Sequence, residues 1–503
     1  MSCTGKSREK WLAGAAVLIC GLVTHGYILT NKISYHDDSV NYFGVGTTFE
    51  SGRWALGLIQ KFLTKIDFFN YSSSWWNGLL SILLVAVCAM ILSELFQIKH
   101  TGYAVLVGVL LISFPAMTSL FAYMFTAPYY MFAVLLMISA VYMTVKYSYG
   151  FLPAIIYQTY FGVATTLFVL ILVSDAETRN FIENIKEAFK YLLTLLGGIL
   201  CYFLGNTICI RNFHVTLLDY QGINDMADVT VKSLIGSVKN AYIGFLQPIL
   251  GEFCGISNQK AVRILYLAVY LMVGVLVLRR LCKRGMELWN RIYFFVLCCL
   301  IPLSISIIYV MAVSDKTVIH TLMIYPYVFG LIYPIVLLEK ENLKGKFWKG
   351  ISVFYCTVAI LLSIYYIRLD NIAYLKANYQ QETATAYYTE VISQIKSTEK
   401  YNSNLPVLFY GAAGSMDDSI PILWRFDDIQ LQGYSNNMHD FISYYAGKEF
   451  LELHCGYTYQ EPENRETIIA SENFQKMPCY PCDGSIKIID GVVVVKWSNF
   501  EVR

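Results

Sequence analysis

Two adjacent carboxylates follow directly on the first long apolar run of the chain. The stretch is ISYHDDSVNYF at 33–43, in which His36 precedes Asp37 and Asp38. A charge beside hydrocarbon costs free energy unless it meets water, a partner or a substrate. One interpretation is chemical, because an ionised aspartate near a hydroxyl can take its proton as a general base. The other is a solvated loop start in which Asp38 or Ser39 caps the next helix.

A basic stripe follows the carboxylates, in the stretch RWALGLIQKFLTKI at 53–66. Its apolar face consists of Leu56, Ile59, Leu63 and Ile66, and another face carries Arg53, Gly57, Lys61 and Lys65. This spacing predicts an amphipathic helix in the plane of the membrane interface. Arg53 is suited to bidentate phosphate binding and Lys61 to binding as a point charge. For the two lysines, snorkelling toward lipid headgroups is the alternative.

The composition is that of an integral membrane protein. Of 503 residues, 56% are hydrophobic and 15% are charged, whereas soluble domains carry about 25% charged residues. The net charge of +2 and the lack of a basic recognition motif give no case for a nucleic-acid partner. The expected surroundings are therefore a lipid bilayer.

Apolar runs long enough to span a bilayer predict a multi-pass helical bundle of about eleven crossings. The runs are 11–31, 75–96, 101–122, 127–145, two short crossings within 150–173, 187–207, 261–278, 291–312, 317–338 and 350–367. Lys6, Arg8 and Lys10 place the N-terminus in the cytoplasm. No small-residue cleavage site follows the first run, so we expect it to remain as an anchor.

The stretch 150–173 decides the orientation of everything after it. As one crossing, it would put the basic loops 279–285 and 339–350 outside, against the positive-inside rule. We therefore expect two short or re-entrant crossings, broken near Gln158 and Tyr160 and covered by protein. Asp175 and Glu177 then lie inside, and are not site candidates.

The crossings divide the chain into a transmembrane domain, 1–367, and an extracytoplasmic soluble domain, 368–503. The first outer loop is 32–74, and a second outer segment is 208–260. The soluble domain has 11 basic and 18 acidic residues and is expected to be a small α/β unit. Its predicted elements are a helix at 382–397, a strand within 406–415 and a hairpin at 486–497 that turns on Asp490 and Gly491.

Four cysteines are expected outside: Cys254, Cys455, Cys479 and Cys482. The last two form a CYPC motif, which is a zinc half-site, a redox pair or part of a disulfide with Cys455. No second CxxC pair occurs, so a structural disulfide is the ordinary interpretation.

Further polar residues lie at predicted outer ends of spans. Arg211 and His214 begin the second outer segment, and SDKTVIH at 314–320 supplies Lys316 and His320. Each is a helix-end anchor or a site residue, and Lys316 is the best candidate for a second phosphate contact. The aromatic stretch FAYMFTAPYY at 121–130 suits either stacking on sugar rings or an interfacial belt.

These features together resemble the GtrII family of glucosyltransferases. The resemblance rests on HDD after the first span, SGRW at 51–54, about eleven spans, an outward tail, YQTYF at 157–161 and IYPYVFGLIYP at 324–334. It implies a GT-C type enzyme that moves a sugar, expected to be glucose, from a polyprenyl-phosphate donor to a surface polysaccharide outside the cytoplasmic membrane. Such enzymes carry an essential acidic residue in the first outer loop. Asp37 and Asp38 match that position, and spacing does not choose between them.

The implied reaction needs a base for the sugar hydroxyl and positive charge for the departing phosphate. An aspartate and Arg53 supply these, and direct displacement inverts the anomeric centre. No cofactor is required; the alternative is a divalent metal bound by His36 and the two aspartates. A transporter or flippase of lipid-linked sugars is the rival function. It calls for internal repeats and charges at the bilayer midplane, whereas this sequence has no clear half-to-half similarity.

Overall fold

The computed structural model describes residues 5–35, 37–44, 46–66, 68, 71–147, 158–218, 230–254, 259–283, 285–311, 319–340, 345–414, 426, 429, 431 and 447–500. Two of the predicted site residues, His36 and Lys316, lie outside these ranges. Within them the chain has eighteen α-helices and three short strands.

Fifteen helices precede the strands. They are α1 (Gly5–Thr30), α2 (Asp37–Val40), α3 (Trp54–Lys65), α4 (Ser74–Leu95), α5 (Thr101–Ser113), α6 (Pro115–Phe121), α7 (Ala127–Tyr147), α8 (Phe161–Asp175), α9 (Phe181–Phe213), α10 (Val231–Leu250), α11 (Lys260–Leu281), α12 (Leu288–Ile305), α13 (Ile307–Met311), α14 (Val328–Lys340) and α15 (Lys346–Ser397). A 3₁₀ segment, Thr321–Tyr327, leads into α14.

In the described residues eight helices are long and apolar enough to cross a membrane, or nine if α5 and α6 form one bent span. The predicted polytopic helical bundle is therefore confirmed.

The bend between α5 and α6 has a local cause. The two helices meet at 41°, and Phe114 between them is extended, with φ −69° and ψ 133°. Pro115 follows it, and a proline disfavours helical backbone at the preceding residue. The predicted crossing at 101–122 is thus a broken one.

Ion pairs bring several loops to one end of the bundle, called here the charged end. Asp175, the last residue of α8, pairs with Lys340 of α14, and Glu177 pairs with Lys283 after α11. At the same end Lys146 of α7 pairs with Glu94 of α4 at 2.7 Å. The segment after α8 therefore lies with the loops after α11 and α14, as predicted. The predicted break coincides with a 3₁₀ turn, Gln158–Tyr160, that precedes α8; the first half of 150–173, up to residue 157, lies outside the described residues.

The segment 208–260 differs from the expected outer loop, because it contains a packed helix. In α10, Gly244 lies against the ring of Tyr309, and the carbonyl of Phe245 accepts a hydrogen bond from the Tyr270 hydroxyl at 2.7 Å. Lys232, Lys239 and scattered polar residues lower the mean hydropathy of this helix. Its sequence therefore does not form a continuous apolar run, and the helix was not predicted.

Helix α15 runs without a break across the predicted boundary at 367/368. It has 52 residues, which gives a length of about 78 Å and exceeds the thickness of a bilayer core. Its C-terminal half includes the predicted 382–397 helix. Tyr388 of this half packs edge-on against Trp497 of the C-terminal region, with ring centroids 5.8 Å apart.

The C-terminal region adds a small sheet to α15. Its strands are β1 (Val407–Tyr410), β2 (Ile486–Ile489) and β3 (Val492–Lys496), in the order β1–β3–β2. β1 and β3 are parallel, and β2 and β3 form the predicted antiparallel hairpin. Asp490 and Gly491 turn it with φ +45° and +78°, the positive values that a two-residue hairpin favours. Three short helices, α16 (Gly447–Cys455), α17 (Arg465–Ala470) and α18 (Glu472–Gln475), complete the described part.

The disulfide expected from the CYPC motif is wrong. Cys254, Cys455, Cys479 and Cys482 are all free. The motif instead forms a turn in which the Cys482 N–H donates to the Cys479 carbonyl at 3.0 Å. The side chain of Tyr480 between them is buried, so packing of this ring, and not a sulfur bridge, anchors the turn.

Candidate active site

The carboxylate of Asp38 is buried at the end of the bundle opposite the charged end. Its side chain belongs to α2 and the residue is only 2% exposed. Oδ1 accepts a hydrogen bond from the backbone N–H of Phe125 at 3.1 Å. The Asp38 N–H in turn donates to the Tyr35 carbonyl at 2.8 Å. Side chain and backbone of Asp38 are therefore both held in place.

The donor on Phe125 is free for this role because of the local fold. Residues 122–126 form the turn between α6 and α7, in which the N–H of Tyr123 donates to Leu120 and that of Thr126 donates to Tyr123. Among the described residues, the Phe125 N–H donates to the Asp38 carboxylate and not to a backbone carbonyl. A buried N–H needs a partner, and Asp38 supplies it.

Burial raises the pKa of the Asp38 carboxyl from 3.8 to about 7, opposed by the Phe125 hydrogen bond and assisted by the negative charge of Asp37. A carboxyl with a pKa near the working pH is well matched to general-base catalysis. Asp37 is half-buried, and its backbone carbonyl accepts from Asn41 at 2.8 Å. The structure thus distinguishes two aspartates that the sequence left equal: Asp38 is the more buried.

Arg53 is positioned by the glycine before it. Gly52 has φ +72°, and an added Cβ there would lie 2.8 Å from the hydroxyl of Tyr202. That hydroxyl donates to the Gly52 carbonyl at 3.1 Å. The glycine of the SGRW motif therefore serves a left-handed turn that is in direct contact with α9.

The guanidinium of Arg53 lies 6.0 Å from the ring centre of Tyr130 in α7. Asp38 contacts Phe125, five residues earlier in the chain. Both predicted site residues therefore approach the same feature, the start of α7, from separate parts of the first loop. The aromatic stretch 121–130 is the element that both residues contact.

Helix α3 confirms the predicted amphipathic helix, and its place in the membrane interface stays a prediction. Leu56 is fully buried, and Ile59 and Leu63 face a cavity described below. Ile66, predicted on the same face, is instead 52% exposed, as is Phe62 at 61%. The helix thus presents apolar side chains outward, as expected of a helix that lies against lipid.

Lys61 and the end of α9 form a second group of cations. The Lys61 ammonium lies 3.5 Å from the ring centre of Phe213 and 5.3 Å from that of Phe49. Arg211 and His214 are exposed at the same end of α9, where His214 is its left-handed C-cap with φ 52°. The structure therefore brings Lys61, Arg211 and His214 to one place. His320 lies elsewhere, half-buried at the start of the 3₁₀ segment before α14.

An apolar cavity of about 370 Å³ adjoins Phe125, the residue whose N–H binds Asp38, although Asp38 is not among the described residues that line it. Its walls come from α3, from the start of α4 and from the start of α7, and include Ile59, Phe62, Leu80, Phe125, Pro128 and Phe132. Phe125 belongs both to this wall and to the contact with Asp38. The cavity was not predictable from the sequence, since its walls come from several separate segments and one key group is a backbone N–H.

The residues offer limited support for a metal site. Among the described residues no group of three or more His, Cys, Asp or Glu is placed to hold an ion. His36, on which the metal alternative depends, lies outside them.

The family model described as "Glucosyl transferase GtrII" matches residues 26–338. This range covers well over half of the chain, including the first loop, α3 and the start of α7. The chain belongs to the GtrII glucosyltransferase family. Comparisons with curated proteins and with solved structures find no match. As a GtrII member with a bundle of apolar helices, the protein is a membrane glucosyltransferase, which uses a sugar donor and an acceptor; the family match does not extend to the C-terminal region.

Proposed function

We propose that this GtrII enzyme transfers glucose from a polyprenyl-phosphate donor to a surface polysaccharide outside the cytoplasmic membrane, with Asp38 as the base. The observation that carries the proposal is the double role of Phe125. Its backbone N–H binds the Asp38 carboxylate, and the residue also lines the apolar cavity. A reactive carboxylate next to a cavity suited to hydrocarbon is what a lipid-linked sugar requires.

In the proposed reaction the acceptor hydroxyl oxygen bonds to the anomeric carbon as the bond from that carbon to the phosphate oxygen breaks. The proton of the hydroxyl goes to Asp38, through Oδ2, since Oδ1 already accepts the Phe125 N–H. The electron pair of the broken bond leaves with the lipid phosphate. Displacement from the opposite face inverts the anomeric centre.

Arg53 is the proposed contact for the departing phosphate. Its backbone is fixed by the Gly52 turn, and the Arg53 N–H donates to the Thr48 carbonyl at 2.8 Å. A guanidinium next to the departing oxygen stabilises the negative charge that develops there. Lys61, Arg211 and His214, which lie together at the end of α9, are proposed secondary contacts, with Lys316, His320 and His36 as further candidates from the sequence. The reaction needs no cofactor.

The cavity is the proposed binding place for the first isoprenyl units of the donor. Phe62 lines it and is also 61% exposed, so the cavity borders the outward, apolar face of α3. A lipid lying in the outer leaflet can reach the site along this face.

The proposed orientation follows from the charged end. This end carries Lys10, Lys146, Arg280, Lys283 and Lys340, and cytoplasmic ends of membrane proteins are enriched in Lys and Arg. The first loop and the C-terminal region lie at the other end, since the Lys32 ammonium donates to the Leu453 carbonyl at 3.3 Å. We therefore propose a cytoplasmic N-terminus and an external C-terminal region.

The test mixes membranes containing the protein with radiolabelled polyprenyl-phosphoglucose and with polysaccharide from cells that lack this gene. Label is expected to move into the polysaccharide. The product of Asp38→Asn membranes is expected to stay unlabelled. Movement of the intact lipid across the membrane without transfer of glucose supports the rival, a flippase, and contradicts the proposal.

A further inference from the structure

The outer half of α15 borders an open depression of about 740 Å³, called here the cleft. Its described lining includes Gln381, Glu382, Thr385, Thr389, Glu390 and Ser393. Spacings of three and four residues place these side chains on one side of the helix. From Gln381 to Ser393 the cleft follows α15 for about 18 Å, which is long enough for several sugar rings.

The chemistry of the lining selects the class of ligand. Amide, hydroxyl and carboxylate groups donate and accept hydrogen bonds of the kind that sugar hydroxyls make. No Lys or Arg is among the residues that line the cleft in the described part of the chain, so the lining offers an anionic ligand no counter-charge. The carboxylate of Glu390 is held in place by the hydroxyl of Tyr480 and the amide of Gln394, each at 3.3 Å. A neutral or amino-sugar glycan fits these groups best.

The inner end of the cleft is joined to the loop that carries Asp38. The Gln381 side-chain oxygen accepts the N–H of Ser34 at 2.8 Å, and its side-chain nitrogen donates to the carbonyl of Lys32. Asp38 follows Ser34 by four residues. A ligand that touches Gln381 is therefore one hydrogen bond away from the catalytic loop of the proposed reaction.

We infer that this cleft on α15 binds the acceptor polysaccharide, so that the glycan runs along the helix and presents a hydroxyl at the Asp38 loop. The inference rests on the proposed function, because it takes the Asp38 loop as the place of transfer. It adds an acceptor subsite, which lies outside the range matched by the family model. The direction of α15 gives the glycan a course from the loop outward, away from the bilayer.

The test uses the full-length protein in nanodiscs and two substitutions to tryptophan. Ala386 is exposed and lines the cleft, so Ala386→Trp fills the cleft without disturbing the core. Ser397→Trp, an exposed site one turn beyond Ser393, is the matched control. Two rates are measured with polyprenyl-phosphoglucose: transfer to polysaccharide from cells that lack this gene, and release of glucose to water without acceptor.

The expected result is a rise of at least about tenfold in the KM for polysaccharide in Ala386→Trp, because only acceptor binding is lost. Glucose release to water stays within about twofold of the wild type, and Ser397→Trp changes neither rate. An unchanged KM in Ala386→Trp overturns the inference. If that variant fails to fold, Thr389→Ala decides by the same measurements, with a smaller expected rise in KM.

Equilibrium binding of the same polysaccharide to the protein, without donor, separates the two proposals. In one outcome the wild type binds polysaccharide, Ala386→Trp does not, and no glucose is released from the donor. This outcome contradicts the donor chemistry and supports the subsite. Equal binding by wild type and Ala386→Trp contradicts the subsite, whatever the donor proves to be.

Discussion

The carboxylate of Asp38 and the backbone N–H of Phe125 are 3.1 Å apart, although 87 residues separate them in sequence. This bond fastens the first loop to the turn before α7. It leaves Oδ2 of Asp38 for chemistry and sets one edge of the apolar cavity. Several consequences of the proposed mechanism depend on it.

Replacement of Asp38 by asparagine is expected to abolish transfer. The amide oxygen can still accept the Phe125 N–H, so the fold is kept while the base is lost, and the rate falls by about 10²- to 10⁴-fold. Asp37→Asn, which removes the less buried carboxylate, is expected to cost much less. Labelled-glucose transfer measures both. The reverse order of the two variants would assign the base to Asp37.

The pH dependence of transfer reports the pKa of the base. Because the Asp38 carboxyl has a pKa of about 7 and must be ionised to accept a proton, the rate is expected to rise as pH increases through this value and then to level off. Asp37→Asn removes a negative charge that raises the Asp38 pKa, so the rise moves to lower pH. A rate independent of pH between 5 and 9 would contradict Asp38 as the base.

The same pKa predicts a change in stability. The folded protein holds the Asp38 proton to about pH 7, while the unfolded chain releases it near 3.8, so ionisation lowers the free energy of unfolding as pH rises between these values. Asp38→Asn is therefore expected to be more stable than the wild type above pH 7, by at most about 1.4 kcal/mol for each unit between the two pKa values. Below pH 4 this advantage disappears.

Thermal unfolding in nanodiscs across this pH range measures the difference. Asp483→Asn, at an exposed site in the C-terminal region, is the control for loss of a surface carboxylate. An Asp38→Asn variant that is less stable than the wild type at pH 8 would show that the buried charge has a compensating partner.

Arg53 and Lys65 allow a matched test of phosphate binding. A charge-assisted hydrogen bond lost from the departing phosphate is worth roughly 1.5–3 kcal/mol, so Arg53→Gln is expected to reduce transfer by about 10- to 100-fold. Lys65→Gln removes an exposed cation from the far end of α3 and is expected to remain close to the wild type. Equal losses in the two variants would mean that the helix attracts the donor only by its overall charge.

Membrane orientation can be tested with two single cysteines in a background without exposed native thiols. Phe43, in the first loop, is 76% exposed, and Lys99 is exposed at the charged end. An impermeant maleimide added to intact cells is expected to label Phe43→Cys, and Lys99→Cys only after the membrane is opened. The opposite pattern would place the proposed reaction on the cytoplasmic side.

Local patterns predicted much of the architecture. The period of apolar residues in 53–66 predicted α3, found at Trp54–Lys65, and Asp490-Gly491 predicted the hairpin turn. Helix α10 was not predicted because its lysines lower the mean hydropathy of the segment, and the prediction of helices in this region depended on hydropathy. The continuity of α15 was missed because Arg368 and Asp370 end the apolar run, although no proline interrupts the helix.

The site was predictable only in part. Asp38 and Arg53 stand out because their charges lie at a membrane boundary, and that signal needs no knowledge of the fold. Their shared neighbour, the start of α7, comes from tertiary contacts: a backbone N–H of Phe125 and the ring of Tyr130. A backbone donor has no signature in the side chains, so the sequence did not reveal what holds Asp38. The choice between Asp37 and Asp38 likewise depends on burial.

The unbroken course of α15 has a mechanical consequence. A single rod that is anchored in the bilayer and extends far beyond it keeps its outer half at a set height above the lipid. A small tilt of the anchored half displaces the far end by a larger distance. Gln381 is hydrogen-bonded to Ser34 and Lys32, so the loop before Asp38 moves with the helix. The short helix α16, which packs on α15, also packs on α2 itself, so the C-terminal region is coupled to the Asp38 loop by two routes.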